Sequence, residues 1–291
     1  MRTRRLLAVL IAVLALAGGH ATSAPAMWAV KSRHATVYLF GSMHILEAGI
    51  DWRTPAFDAA YARSSVVWFE ADAASLADPA KMDALVTRYG LDPDHPLSSK
   101  ITPEDLAALK ARLDAAGLPE ERFERFKPWM AALIVTGLPF HRQGFESNVG
   151  ADAAVNRSAA ADRKAVRGFE TAETTARGLS ELPDAVQVQL LEDSLHEDSR
   201  PMSQIKNIEA AWLAGDLARL GPMLTQEMST ERPALYDLLI RRRNRAWAAV
   251  IAEQLHHPGV QMVSVGALHM VGRDGLTSLL RARGFKVVRV Q

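Results

Sequence analysis

Two histidines and a glutamate, each at or just past the end of an apolar run, are the residues best placed for chemistry in this 291-residue chain. Val37-Tyr-Leu-Phe-Gly-Ser-Met-His44 takes four strand-forming residues into a glycine and delivers an imidazole three places later. Near the other end, Val260-Gln-Met-Val-Ser-Val265 runs into Gly266-Ala-Leu-His269 in the same way. Leaving a strand sharply while the backbone passes close to a ligand favours a residue without a Cβ, so the glycine permits the turn and the histidine supplies the chemistry. As bare strings, two Gly-x-x-His matches are unremarkable at this composition, and the signal lies in the apolar run before each. The third element is Ser65-Val-Val-Trp-Phe-Glu70-Ala-Asp72, where a similar run ends in a carboxylate. A charge there is costly to bury unless it is paired or holds a cation. Neutral imidazoles with one carboxylate suit Zn, Mn, Fe or Co and leave positions open for water. Plainer readings stand beside this one: each histidine as a satisfied strand-end residue, Glu70 as the partner of one of many arginines.

The elements that must position these groups alternate between strand and helix. Met27 to Lys31 and Thr36 to Phe40 read as a hairpin, with His34 exposed in its turn. Thr54-Pro55 opens a helix to residue 63, and Val66 to Glu70 is the next strand. Strand, helix and strand would form a βαβ unit that puts His44 and Glu70 at one edge of a parallel pair, where open α/β sheets carry their chemistry. From about 75 to 257 the pattern is helical. It has one helix over Ala77 to Tyr89, one from Thr102-Pro to Gly117, and an apolar one from Lys127-Pro-Trp129 to Leu138, stopped by Pro139 with His141 just beyond. Gly150-Ala-Asp152 opens an alanine-rich helix to Ala161, and Lys164 to Phe169 is a short strand ending in Glu170. Helices follow over Ala211 to Leu220, Pro222 to Ser229 and Pro233 to Leu255. Glu192, Asp193, His196 and Glu197 form the wet face of a helix whose core side is Val188, Leu191 and Leu195. His256-His257 complement a helix C-terminus. A helix to Arg283 and a strand over Lys286 to Val290 close the chain. The expected fold is one α/β domain with a mixed, largely parallel sheet built by the two ends of the chain, interrupted by a large helical insertion.

Arg2, Arg4 and Arg5 before the apolar run Leu6 to Ala17, then small residues to Ala24-Pro-Ala26, read as a secretory signal peptide cut after Ala26. Its apolar core is too short to span a bilayer, so contact with the membrane would be through this cleaved segment alone, and the mature protein is expected in the periplasm or secreted. Removing residues 1–26 takes three of 34 basic residues and none of 33 acidic ones, leaving 31 against 33, a net −2. That near-neutral balance has no basic stripe for nucleic acid. There are no cysteines, which excludes a disulfide framework, a thiolate metal site and a cysteine-linked lipid. A mature chain of this length buries an ample core without them.

The order of these motifs resembles the TraB/GumN family, which is similar to the Tiki membrane-associated metalloproteases and more distantly to the ChaN and erythromycin-esterase-like proteins. It rests on Trp28-Ala-Val30, Tyr38-Leu-Phe-Gly41-Ser-Met-His44 with Leu46, Val67-Trp-Phe-Glu70-Ala-Asp72 and Lys127-Pro-Trp129. Further matches are Gly150-Ala-Asp152, Gly168-Phe-Glu170-Thr171, Arg243-Asn244-Arg-Ala-Trp247 and Val265-Gly266-Ala-Leu-His269 through Gly275. Glu47 departs from the pattern, since many members carry an apolar residue or proline there. The resemblance implies that His44, His269 and Glu70 form the active or metal-binding site, with Mn- or Co-dependent peptidase activity as in the Tiki-like members. Glu170, Arg243 and Asn244 match further family positions.

The expected function is therefore an exported metal-dependent hydrolase of peptides or other small acyl substrates. His44 and His269 would hold a divalent Mn, Co or Zn ion, and Glu70 would complete the site as ligand or general base. Arg243 or Asn244 would steady the oxyanion, with Glu170 as a further substrate-side candidate. Three other readings stay open: a metal-free hydrolase in which histidine is the base and glutamate its orienter, a binding protein for a peptide signal or haem, and a structural envelope protein with a relic site. Oligomeric state is not legible in the sequence.

Overall fold

Parallel strands covered on both faces have no wet side to alternate with, so runs rich in Val, Leu, Phe and Trp mark the centre of such a sheet. In the computed structural model, residues 24–72, 78–142, 145–146, 150–196 and 202–291 are described. Most of the expected signal segment, the start of the helix expected from Ala77, the side chain of His141, and Glu197 lie outside them. The strands are β1 (Met27–Lys31), β2 (Ala35–Ser42), β3 (Leu46–Glu47), β4 (Val66–Ala71), β5 (Phe145–Glu146), β6 (Ala165–Glu170), β7 (Gly259–Gly266) and β8 (Lys286–Arg289).

Six of them form one sheet in the order β6-β4-β7-β2-β1-β8. β6, β4, β7 and β2 run parallel, whereas β1 is antiparallel to both of its neighbours. The fold is α/β. The hairpin of β1 and β2 forms as expected, but β4 does not pair with β2. β7 lies between them, parallel to both, because Met262, Val263 and Val265 leave it no face that can meet water. The register sets Ser42 opposite Gly266 and Trp68 opposite Val263, so the carboxyl ends of three strands open at one edge.

The principal helices are α1 (Pro55–Arg63), α2 (Pro79–Leu85), α3 (Pro103–Ala116), α4 (Pro128–Arg142), α5 (Ala151–Ala161), α6 (Ala172–Ser180), α7 (Asp184–His196), α8 (Met202–Leu213), α9 (Leu217–Glu231), α10 (Arg243–Gln254) and α11 (Leu276–Ala282). Thr54 and Thr102 cap α1 and α3 with their hydroxyls, and Gly117 ends α3 in the left-handed region at φ 66°. α2 continues into a π turn, and another π turn over Asp237–Arg242 leads into α10.

Two prolines do not act as expected. α4 runs through Pro139 to Arg142, so the expected stop at Leu138 is too early. A proline near a helix end removes one hydrogen bond, and the buried side of α4 (Trp129, Ala131, Ala132, Val135) holds the helix past it. Pro222 lies inside α9, and the real break is at Gly215, left-handed at φ 60°, after which Asp216 caps α9 by accepting from the Arg219 N–H. The expected helical insertion is likewise divided, because β6 leaves it to form an edge of the main sheet.

Each face of the sheet has its own core. Phe40, Trp52, Phe57 and Trp212 pack with Met262 and Val155 on one side, and Leu39, Val263, Trp247, Ile251 and Leu280 on the other. The insertion has a third core around Leu109, Leu113, Trp129, Val135 and Leu191. Ahead of β1, Ala24 and Ala26 are buried and Gln291 donates to the Pro25 carbonyl at 2.7 Å. No helix among the described residues is long and apolar enough to cross a membrane.

Candidate functional site

The three strand-end residues meet. His44 lies two residues past β2, Glu70 is the penultimate residue of β4, and His269 sits in a single 3₁₀ turn that follows β7 directly. His44 Nε2 is 3.3 Å and His269 Nε2 3.5 Å from the same oxygen, Glu70 Oε1. That oxygen also accepts the Gly266 N–H at 2.8 Å. A Cβ on Gly266 would lie 3.1 Å from His44 Nε2 and 3.2 Å from Glu70 Oε1, so the missing side chain leaves the space on which the three groups converge.

Each imidazole is held from behind. His44 Nδ1 is 3.0 Å from Asp152 Oδ2, in the first turn of α5. The start of that helix is fixed to the His44 loop by the Ala151 N–H, which donates to the Met43 carbonyl at 2.8 Å, and by Gly150, whose Cβ would strike the His44 carbonyl oxygen at 2.2 Å. His269 Nδ1 is 2.7 Å from Asn244 Oδ1. The Asn244 amide nitrogen donates to the carbonyls of Asp274 and His269, which leaves its oxygen as acceptor and makes His269 the Nδ1–H tautomer. Asn244 has 0 % of its surface exposed, so it stands behind His269, away from any substrate.

Arg243, the first residue of α10, ties the remaining parts together. Its Nη2 donates to Glu70 Oε2 at 2.8 Å, its Nε to both oxygens of Glu170 at 3.0 and 3.1 Å, and its Nη1 to the Leu239 carbonyl. One turn on, Trp247 donates its indole N–H to Glu170 Oε1 at 2.8 Å, lies under the Arg243 guanidinium, and packs against the His269 ring at 4.5 Å. Glu170 thereby orients Arg243 and does not reach the histidines. Glu47, the residue that departs from the family pattern, pairs with Lys206 on α8. Among the described residues the acids and histidine of α7 form no cluster: Asp193 pairs with Arg232 and His196 with Asp105.

Burial lowers the His269 pKa, and the nearby Arg243 and His44 charges add to that against the opposing pull of Glu70. Burial also works against ionising Glu70, but the charge and hydrogen bond of His269, joined by those of His44, hold its pKa well below the usual carboxylate range. For His44 burial opposes protonation, and its bonds to Asp152 and Glu70 outweigh this and push its pKa up to about 10. Since 55 % of that side chain is open to solvent, water moderates the shift without reversing it.

Among the described residues, no group of three or more His, Asp or Glu side chains makes a formed metal cage, and the cluster is closed by hydrogen bonds. The donor chemistry nonetheless fits a divalent cation. With both Nδ1–H groups turned outward, two imidazole lone pairs and a carboxylate oxygen point at one place, which calls for a proton or a cation between them. The site opens into a cleft of about 850 Å³ whose charged lining is His44, Glu70 and Arg243 with Asp152 and Arg157 of α5.

Asp152 and Trp247 are parts of the site that reading the sequence left without a role. Asp152 is 108 positions from its histidine, and its only sequence signal is its place in the first turn after Gly150. The sequence pattern of the TraB/PrgY/gumN family matches residues 26–289. The uncharacterized protein YbaP of Escherichia coli (strain K12) is 28 % identical over 188 residues, 64 % of this chain and 68 % of that one, and YbaP of Shigella flexneri matches to the same extent. No solved structure matches. With that family pattern running from β1 to the last residue of β8, the chain belongs to the TraB/PrgY/gumN family.

Proposed function

We propose that this protein is an exported, metal-dependent hydrolase of peptides or related acyl compounds, working in the periplasm or outside the cell. The observation that carries the reading is the convergence of two backed imidazole nitrogens on one oxygen of Glu70, at the end of an open cleft. His44 Nε2, His269 Nε2 and Glu70 Oε1 would hold the ion, of the Mn, Co or Zn type. Such an ion supplies Lewis acidity, which acidifies water toward neutral pH and polarises a scissile carbonyl. Asp152 and Asn244 fix the tautomers that turn both Nε2 atoms inward. Arg243 keeps Glu70 ionised and in place, while Glu170 and Trp247 keep Arg243 from turning away. The raised His44 pKa means that binding the ion displaces a proton, so affinity should rise with pH.

Elemental analysis of the purified protein, then a peptide-library assay with and without chelator, tests this. Near-stoichiometric metal and chelator-sensitive cleavage are expected, with both lost in His44→Ala and His269→Ala. Unchanged metal content in the two variants would remove the reading. The lowered pKa of His269 beside Glu70 favours one second reading, a metal-free hydrolase in which His269 is the base for water and Glu70 its orienter. Cleavage that survives exhaustive chelation but not His269→Gln would select it.

A further inference from the structure

The cleft has two chemically distinct ends. His44, Glu70 and Arg243 supply charge at the sheet end and Asp152 and Arg157 supply it from α5, while α2 and α4 supply a wall without charge: Met82, Leu85 and Val86 from α2 and the turn after it, Trp129, Met130 and Leu133 from α4. α2 has no fully buried residue: Leu85, with Val86 after it, packs in part against the third core and keeps the rest of its apolar surface toward this cleft. Leu133 is 60 % exposed, and the only other large hydrophobic residues exposed among those described are Val288 and Val290 at the far edge of the sheet. Apolar surfaces left facing one another across water are unfavourable, and an occupant with an apolar body removes that penalty.

We propose that the site selects substrates by an uncharged, apolar side chain or acyl group beside the bond to be cleaved, seated between α2 and α4 with Leu85 and Leu133 as specificity residues. The assignment rests on the hydrolase reading for the word substrate; the binding preference does not. A cleft of this volume holds two or three side chains, so the segment recognised is short. The scissile carbonyl then lies toward His44 and Glu70.

Binding can be measured apart from turnover. The His44→Ala variant of the full protein is titrated calorimetrically with acetyl-Leu-Leu-Leu-amide and with acetyl-Ser-Ser-Ser-amide. The leucine peptide should bind at least about tenfold more tightly. Leu85→Asp and Leu133→Asp should each remove most of that preference while leaving the far-ultraviolet circular dichroism unchanged. Equal binding of the two peptides, no binding of either, or a preference that survives both substitutions would overturn the proposal. So would concentration-dependent dimerisation abolished by Leu133→Asp, which would make a second copy the occupant. If the leucine preference holds and no peptide is ever cleaved, only the hydrolase reading fails.

Discussion

Replacing Gly266 by alanine should disturb the site and spare the fold. Gly266 has φ −50° and ψ 141°, a conformation open to any residue, so the methyl group strains no backbone. By restricting the unfolded chain it stabilises by about 0.4–1 kcal/mol. Against this, the methyl carbon would stand 3.1 Å from His44 Nε2, 3.2 Å from Glu70 Oε1 and 3.7 Å from His269 Cδ2, all side-chain atoms. Crowding in a packed interior costs about 1–3 kcal/mol, and the low end applies because the half-exposed His44 ring can swing aside. The two effects nearly cancel, leaving a net change within about 1 kcal/mol. The ring that yields is displaced from Glu70 but keeps Asp152, so the His44 pKa should fall from its raised value and stay above that of an ordinary histidine. Urea unfolding measures the first quantity, and a nuclear magnetic resonance titration of the His44 ring, assigned with His44→Gln, measures the second. A loss of more than about 2 kcal/mol would mean that unyielding atoms surround Gly266. An unchanged titration would mean that His44 is not held against Glu70, and the geometry argued for the site would fail.

Gly150→Ala should behave in the opposite way, because its Cβ meets the His44 carbonyl oxygen at 2.2 Å and the carbonyl carbon at 2.6 Å, which are backbone atoms. A destabilisation of about 1–3 kcal/mol or more in urea is expected, and wild-type stability would show that α5 does not start against His44. Arg243→Met strips Glu70 and Glu170 of their shared cation and should destabilise by roughly 3 kcal/mol at pH 7, the lower part of the range for a broken buried pair since neither carboxylate is wholly covered. The deficit should shrink at acid pH as Glu70 protonates, and one that stays constant with pH would contradict the pairing. Because the His44 pKa is raised from 6.5 to about 10, its contribution to stability is full below 6.5 and is lost as pH climbs through about 10. His44→Gln should flatten the wild-type decline over that window. His269 and Glu70, whose pKa values are lowered, contribute above their unfolded values and lose that contribution as pH falls. Acid unfolding should therefore be retained in the same variant.

Local chemistry explains what was legible in the sequence. An apolar run followed by glycine or an acid is a feature of a few neighbouring residues, and it located β2, β4 and β7 and the three groups that meet at their ends. The place of β7 between β2 and β4 depends on which strand can afford no exposed face, a comparison across more than 190 positions of chain that no short window contains. Asp152 looked like an ordinary acid in a first helical turn, and its pairing with His44 is tertiary. Asn244 reads as a polar residue available to a substrate, yet the fold turns it inward to Asp274 and His269. Pro139 carried a strong local stop signal that the packing of α4 overrode.

Because a middle strand of the sheet is encoded almost last, most of the polypeptide precedes the segment that brings the three strand-end residues together. Until residues 259–266 arrive, β1 with β2 and β4 with β6 are two separate ribbons, each with a bare parallel edge where the missing strand belongs. Such edges recruit stray strands, so an unfinished molecule is prone to association. β7 closes both edges, and the same strand places His269 beside the acid and the imidazole that come from the early part of the chain.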